Sequence, residues 1–202
     1  TLGLAPGEAP GWVARQLGHA NTQILCQAYS RIVPNLTRQD GSAIDRLLAT
    51  RFAHVRVQAI AHRVVHGGAF FNRSVCVTPD VMRQLATLNA LAPLHQPHNL
   101  AGIHAFAQSF PEVPQVACFD TAFHRTLSPL ETTFAIDKRL TDQGVRRYGF
   151  HGLSYQYVSQ VLQREVPRSA GRVVMAHLGN GASVCATTTH QSRATTKGFS
   201  AL

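Results

Sequence analysis

Short apolar segments alternate with segments of helical period from about residue 55 onward, and this alternation constrains the fold more than any other feature. Period-two apolar patterns predict strands over residues 55–61, 115–119, 172–176 and 183–187. Helical periods predict one helix after the N-cap Thr78 and Pro79, one over residues 99–109, and one after Ser154 as N-cap. Strands that alternate with helices in this order indicate an α/β layered fold.

The first fifty residues differ in texture from the rest, so we expect a domain boundary near residue 50. Residues 1–50 show short helical patterns interrupted by Gly18, Pro34 and Gly41, whereas residues 51–202 carry the α/β pattern. A short helical segment is therefore expected ahead of one larger domain. No apolar run is long enough to span a bilayer, and residues 1–6 lack a signal-peptide pattern, so we expect a cytoplasmic protein without a membrane partner.

The segment Leu17-Gly18-His19, with Tyr29 ten residues after the histidine, resembles the C-terminal end of a phage-type tyrosine recombinase. In that family the histidine lies near the scissile phosphate and the tyrosine attacks it, a reaction that needs several cations around the phosphate. The upstream arginines and lysine of that family have no counterpart here. We therefore expect His19 and Tyr29 to be polar residues on a helical remnant.

The net charge of +9 favours an anionic partner, but Lys and Arg never form a run longer than a pair. A small molecule that carries phosphate would satisfy this balance as well as nucleic acid would. Nucleic acid is therefore not an expected partner of the whole chain.

Histidine and glycine recur in five short motifs between residues 62 and 183. The motifs are His62-Arg63-Val64-Val65-His66-Gly67-Gly68, Ala92-Pro93-Leu94-His95-Gln96-Pro97-His98-Asn99-Leu100, Phe119-Asp120-Thr121-Ala122-Phe123-His124, Arg146-Arg147-Tyr148-Gly149-Phe150-His151-Gly152 and His177-Leu178-Gly179-Asn180-Gly181-Ala182-Ser183. Each motif alone is a weak signal, but their order and spacing resemble the acetate kinase family, which includes propionate kinases. The resemblance covers residues 62–201.

That resemblance implies part of the actin-like sugar-kinase superfold, a ribonuclease H-like fold, within residues 51–202. It implies a phosphotransferase that uses ATP and Mg²⁺ to convert acetate or propionate to an acyl phosphate. It also makes a homodimer possible. The sequence does not separate acetate from propionate, and it identifies no metal ligand.

Arg63 and Asp120 are the first candidate catalytic residues, because phosphoryl transfer to a carboxylate depends on positioning and charge stabilisation. Arg63, at the end of a predicted strand, could grip a carboxylate or phosphoryl group with two parallel hydrogen bonds, or form a surface ion pair. The resemblance implies that Arg63 binds substrate and that Asp120 is essential. Asp120 could orient an arginine, help to hold magnesium, exchange a proton, or cap the segment that follows it.

The remaining site residues are also implied by the resemblance. His151 is expected to contact the phosphoryl group and stabilise the transition state as a donor. A turn with two glycines lets backbone N–H groups approach the ATP phosphates, although a hairpin turn explains the same residues and is compatible with that role. His95, His98 and His124 are expected only to satisfy backbone groups. The turn consists of His177, Leu178, Gly179, Asn180 and Gly181, and the candidate lining of the acyl pocket is Val65 and Phe123, with the neighbourhood of Leu94 and Pro97.

The resemblance is incomplete. The family's Asn-Ala-Gly-Ser-Ser-Ser type phosphate loop, and its C-terminal segments with a catalytic arginine, the adenosine site and a magnesium-linked glutamate, have no counterpart in the sequence. His190 and Lys197 stand where Gly and Met are expected. The alternative function is therefore a catalytically inactive fusion relic of a recombinase end and a truncated kinase. An unpaired sheet edge is expected to make such a chain marginally stable.

Overall fold

A computed structural model of the chain describes residues 50, 54, 56–179 and 181–199. The chain divides into two units, of which one contains the residues up to His62 and Cys76–Val116. The other contains Arg63–Val75 and the residues from 117 onward. The segment with His19 and Tyr29 lies outside the described residues.

The first sheet contains β1 (Ile60–Val64), β2 (Val75–Cys76) and β3 (Gln115–Phe119) in the order β1-β3-β2. The Ile60 N–H donates to the Pro114 carbonyl, and the Asp120 N–H donates to the Val64 carbonyl at 3.1 Å. The residue numbers of the bonded partners increase along both strands, so β1 and β3 are parallel. Their carboxyl ends therefore lie side by side.

The sequence predicts β3 correctly and β1 incorrectly. The apolar alternation of residues 55–61 predicts a strand with the odd-numbered residues facing inward, but residues 56–59 form no regular element. The strand begins at Ile60, and its inward residues are even-numbered, with Val64 fully buried and Ala61 exposed. The first backbone hydrogen bond of this strand joins Ile60 to Pro114. The alternating residues before Ile60 therefore have no neighbouring strand to pair with.

Two helices form most of the first unit. Helix α1 (Pro79–Ala86) begins after Thr78, whose Oγ1 accepts a hydrogen bond from the Val81 N–H at 3.2 Å, and this confirms the predicted N-cap. Helix α2 (Gln96–Ser109) follows a short 3₁₀ helix and ends where the sequence predicts. The two helices pack against each other, and the buried apolar side chains of this unit include Leu85, Leu88, Leu100 and Ile103.

The second unit contains an antiparallel sheet of β4 (Arg172–Leu178), β5 (Ala182–Thr188) and β6 (Gln191–Thr195). Its register pairs Leu178 with Ala182, so the turn between β4 and β5 follows Leu178 and precedes Ala182. Thr189 and His190 both have positive φ angles in the turn to β6. Strand β6 is polar and lacks an apolar alternation, so no sequence pattern predicts it.

Helix α5 completes the second unit. Two short helices, α3 (Pro129–Thr132) and α4 (Lys138–Asp142), precede α5 (Gly152–Glu165), which packs against β4 and against a 3₁₀ helix at Ala122–Thr126. The core of this unit is Tyr155, Met175 and Cys185, with Phe123, Leu162 and Val173 packed around them. In the described part of the chain, no helix has both the length and the apolar character needed to cross a membrane.

Candidate active site

Arg63 and Asp120 form a two-point ion pair at the carboxyl ends of β1 and β3. Arg63 Nη2 donates to Asp120 Oδ2 at 2.7 Å, and Arg63 Nε lies 3.2 Å from both carboxylate oxygens. The Asp120 side chain is 1% exposed and that of Arg63 is 49% exposed. Burial disfavours the charged guanidinium, but the charge and hydrogen bonds of Asp120 outweigh it and raise the pKa of Arg63. The pair thus fixes the guanidinium through its Nε and Nη2 groups, and Asp120 does not occupy Nη1.

The start of α5 places His151 beside Asp120. His151 has φ 60° and ψ 20°, in the left-handed region that non-glycine residues rarely adopt. The Gly152 N–H donates to the Asp120 carbonyl at 3.0 Å, and a Cβ at position 152 would lie only 2.0 Å from that carbonyl oxygen. The glycine therefore lets the helix begin against the Asp120 backbone. The predicted N-cap at Ser154 is wrong, because this contact starts the helix three residues earlier, with His151 as N-cap.

A hydrogen-bonded chain orients the His151 ring. His151 Nδ1 lies 2.8 Å from Ser183 Oγ, which in turn lies 2.5 Å from the Tyr155 hydroxyl. All three side chains are buried. The other ring nitrogen, Nε2, borders the turn between β4 and β5, 3.4 Å from the place that a Cβ on Gly181 would occupy. One side of the imidazole is thus anchored, and the other faces the turn.

His177, at the end of β4, stacks on His151. Their ring centroids are 4.1 Å apart with an interplanar angle of 27°, and His177 Nδ1 lies 3.0 Å from Ser154 Oγ. Leu178 is 79% exposed, so its side chain points into solvent. Gly179 and Gly181 lie in the turn, and Asn180 lies outside the described residues. The structure thus brings the turn predicted to bind nucleotide to His151.

Lys197 also lies beside His151 and the turn. In the sequence, this residue stands out only because Met is expected at its position. The residue is 7% exposed and follows β6. Its Nζ lies 3.2 Å from the place that a Cβ on Gly181 would occupy, the same space that His151 Nε2 borders. A single lysine in a polar segment carries no pattern that would predict its burial.

The cluster favours the uncharged forms of its bases. Burial, followed by the positive charges of His177 and Lys197, lowers the pKa of His151 to about 4, against the opposing effect of Asp120. Burial and Arg63 lower the pKa of His177 and also that of Lys197. His151 is therefore neutral at neutral pH, with one ring nitrogen as donor and the other as acceptor.

Val65 and Phe123 belong to the interior of the second unit. Val65 directly follows β1 and is 4% exposed. Phe123 packs against the Tyr155 core, and its Cβ lies 2.8 Å from the place that a Cβ on Gly152 would occupy. Both residues therefore adjoin the segments that carry Arg63, Asp120 and His151, and their role at an acyl group stays a prediction.

His124 holds a backbone segment of the second unit. His124 is buried, with Nε2 at 2.9 Å from the Phe150 carbonyl oxygen and Nδ1 at 2.8 Å from Ser192 Oγ. A carbonyl oxygen only accepts, so Nε2 carries the proton and the Ser192 hydroxyl donates to Nδ1. His95 and His98 lie at the start of α2, in the first unit.

Ser154, Tyr155 and Ser183 were not predicted as site residues. Ser183 gave a signal that could have been used, because alternation along β5 places it on the same buried face as Cys185. A polar side chain on the inward face of a strand requires a hydrogen-bonding partner, so its position indicates a network rather than plain packing.

Known proteins share this arrangement of segments. The model of the Acetokinase family matches residues 35–202. An acetate kinase of Rhodopseudomonas palustris is 50% identical over 178 residues, which are 86% of this chain and 45% of that protein. A propionate kinase of Citrobacter koseri is 40% identical over 211 residues, covering 98% of this chain and 52% of that protein. The chain thus spans roughly half the length of the curated relatives it matches.

Solved structures agree with these relatives. A propionate kinase from Francisella tularensis matches 83% of this chain and 44% of its own, with a TM-score of 0.77 and 37% identity. An acetate kinase from Entamoeba histolytica matches 80% of this chain and 42% of its own, with a TM-score of 0.73 and 34% identity. The predicted fold class, α/β and part of the actin-like sugar-kinase superfold, is confirmed. The fusion alternative gains no support, since the family match begins at residue 35, inside the segment assigned to a recombinase end.

Proposed function

Because the chain belongs to the acetokinase family, we propose that it takes part in phosphoryl transfer from ATP to a short-chain carboxylate, which gives ADP and an acyl phosphate. The observation that carries this proposal is the Arg63–Asp120 ion pair, which lies with His151 and His177 in one electrostatic cluster. A carboxylate is already a nucleophile at neutral pH, so the site must hold two anions together rather than remove a proton.

Arg63 serves this reaction as the cation that binds the carboxylate or the transferring phosphoryl group. Its Nε and Nη2 groups are occupied by Asp120, which leaves Nη1 for the substrate. Among the roles open to Asp120, the two-point geometry supports the orientation of Arg63. A carboxylate that is 1% exposed is a rigid anchor, so the guanidinium cannot rotate away when the substrate leaves.

His151 serves as a neutral hydrogen-bond donor to the phosphoryl group. If Tyr155 donates to Ser183 and Ser183 donates to Nδ1, the proton of the imidazole resides on Nε2. That nitrogen faces the space beside Gly181. A donor that is already oriented stabilises charge in the transition state without reorganisation. The low pKa of His151 keeps the ring in this form at neutral pH.

The turn after β4 serves as the phosphate-binding element. A Cβ on Gly179 would have no neighbour closer than 3.7 Å, so its backbone is open to an incoming group. Backbone N–H groups in such a turn can approach phosphate oxygens. His177, Leu178, Gly179, Asn180 and Gly181 form this element of the proposal. Val65 and Phe123 are the proposed apolar neighbours of the acyl group.

ATP is the proposed phosphoryl donor, and Mg²⁺ is its proposed companion ion. In the described part of the chain, no three His, Cys, Asp or Glu side chains come together as a metal-binding group. Mg²⁺ would then be held mainly by phosphate oxygens, because both oxygens of Asp120, the carboxylate at this cluster, contact Arg63. When bound, the ion would neutralise charge on the phosphate oxygens.

The experiment that tests the proposal is trapping of the acyl phosphate with hydroxylamine. The purified chain is given ATP, Mg²⁺ and acetate, and the acyl hydroxamate is measured by its iron complex. We expect formation of hydroxamate that Asp120→Asn lowers by at least about a hundredfold, because Arg63 loses its anchor. Asp142→Asn is the matched control, since Asp142 pairs with Lys138 on the exposed face of α4.

Absence of hydroxamate with folded wild-type chain would contradict the proposal for this chain. Equal losses in Asp120→Asn and Asp142→Asn would show that the effect is not specific to the cluster. The same assay with propionate compares the two acyl substrates by kcat/KM. A homodimer belongs to the proposal as well, and light scattering after size exclusion tests it directly.

A further inference from the structure

We propose that Lys197 is a phosphate-binding residue of the cluster, where its ammonium holds a phosphate oxygen in the space beside His151 Nε2 and Gly181. This inference deepens the proposed function and rests on it for the identity of the phosphate compound. The sequence analysis expected Met at this position, so the inference concerns a property of this chain.

The first observation is that Lys197 is buried without a partner. The residue is 7% exposed. Among the described residues, no carboxylate lies within ion-pair distance of its Nζ, and no hydrogen bond to Nζ is formed. An ammonium on a largely buried side chain is less well solvated than one on the surface, and a neighbouring anion offsets that loss. Such a group persists where a bound anion completes its environment.

The second observation is the charge balance around it. Arg63 and Asp120 neutralise each other through their two-point contact, and His151 is neutral at neutral pH. The charge of Lys197 is therefore not compensated. The charged and titratable groups that act on it are Arg63, Asp120, His151 and His177, and burial together with Arg63 lowers its pKa. An anion in this space would reverse that effect.

The third observation identifies the anion as a phosphate group. Lys197 Nζ and His151 Nε2 lie 3.2 Å and 3.4 Å from the place that a Cβ on Gly181 would occupy, so both donors border the same side of that glycine. This region adjoins the glycine turn. Phosphate carries more charge and more acceptor oxygens than acetate does, and converging donors beside a glycine turn suit it.

The test uses tripolyphosphate as the probe, because it carries phosphate without adenosine. The chain contains two lysines, Lys138 and Lys197, which gives a matched pair of variants. Lys197→Met removes the charge and keeps a long apolar side chain. Lys138→Met removes an exposed ammonium that pairs with Asp142. By calorimetry we expect Lys197→Met to weaken binding about tenfold and Lys138→Met to leave it unchanged.

A second measurement follows the ammonium itself. Lysine labelled with ¹³C at Cε gives two side-chain signals, one from each lysine, which the Lys138→Met variant assigns. We expect tripolyphosphate to shift the Lys197 signal and to raise the pH at which it titrates, while the Lys138 signal stays in place. A structural role in packing alone would not move this titration.

The proposal is overturned if Lys197→Met binds tripolyphosphate with the same affinity as the wild-type chain. It is equally overturned if tripolyphosphate does not shift the Lys197 signal. It is also overturned if acetate, but not tripolyphosphate, shifts that signal. These results are independent of the hydroxamate assay. A chain that binds tripolyphosphate through Lys197 but forms no acyl hydroxamate would contradict the proposed function and keep this inference.

Discussion

Helix α1 in the first unit and helix α5 in the second begin in opposite ways. Before α1, Thr78 has extended backbone and its hydroxyl accepts the Val81 N–H, with Pro79 as the first helical residue. Before α5, His151 has left-handed backbone and its side chain makes no capping hydrogen bond. The first helix obeys the local rules for helix initiation, and the second depends on a tertiary contact between Gly152 and the Asp120 carbonyl.

The difference shows where structural requirements outweigh local preference. Ser154 could have capped α5, but its hydroxyl instead lies beside His177 Nδ1. The unusual backbone of His151 costs about 1 kcal/mol or more, and the surrounding packing must offset it. This backbone conformation places the ring of His151 next to both Ser183 and the turn after β4. The irregular start is thus the part that positions the candidate chemistry.

The largest effect is expected from Gly152→Ala, which breaks the tertiary start of α5. The new Cβ would lie 2.0 Å from the Asp120 carbonyl oxygen and 2.8 Å from Phe123 Cβ, so backbone must move. We expect the free energy of unfolding to fall by about 3 kcal/mol, as for severe overpacking. Chemical denaturation measures this loss, and hydrogen exchange should show α5 opening before α1.

Gly171→Ala is the control for that substitution. A Cβ at Gly171 would come no closer than 3.6 Å to its nearest neighbour, which is an ordinary contact. We expect a change in the free energy of unfolding within about 0.5 kcal/mol. If both variants lose the same stability, the tight contact at Gly152 is not what starts α5.

Acid should affect the start of α5 next most strongly. Burial lowers the pKa of His124, whose ring donates to the Phe150 carbonyl just before His151, to about 4. Between pH 6.5 and 4 the unfolded chain binds a proton there that the folded chain does not, so stability falls as the pH falls. The contribution of His124 is fully present above pH 6.5. The loss reaches about 2 kcal/mol at pH 5, at about 1.4 kcal/mol per pH unit.

Thermal denaturation at a series of pH values tests this dependence. His66 and His151 also have pKa values of about 4 through burial, so the wild-type slope should be steep. His124→Gln should reduce the slope by about one proton. His104→Gln, at an exposed position on α2, is the control variant. A slope that is equal in all three proteins would contradict the buried, neutral state of His124.

Much of this fold follows from local sequence signals, and much of the site does not. Local residue types alone predict the helix start at Thr78 and Pro79 and the strand over residues 115–119. Arg63, Asp120, His151 and the glycine turn were identified by family resemblance and by their positions at strand and helix ends. Lys197 depends on which residues surround it after folding, and no pattern within its own segment predicts that.

Thr78→Ala should produce a moderate effect confined to the first unit. The substitution removes the acceptor for the Val81 N–H, and the loss of such a cap costs about 1 kcal/mol. Hydrogen exchange at the first turn of α1 should accelerate about fivefold, and exchange in α5 should stay the same. Equal acceleration in both helices would mean that the two helix starts are coupled, contrary to the comparison.

The smallest change in stability is expected from Ser154→Ala, and it sharpens the comparison most. Ser154 lies inside the helix rather than at its cap, so its loss should cost less than about 0.5 kcal/mol. The substitution removes the partner of His177 Nδ1 while leaving Ser183 on His151, so the His177 ring resonances should change and those of His151 should change less. A loss of stability as large as that of Thr78→Ala would mean that Ser154 acts as a cap after all. A change confined to His177 would mean that Ser154 does not cap the helix but holds the turn where the phosphate is proposed to bind.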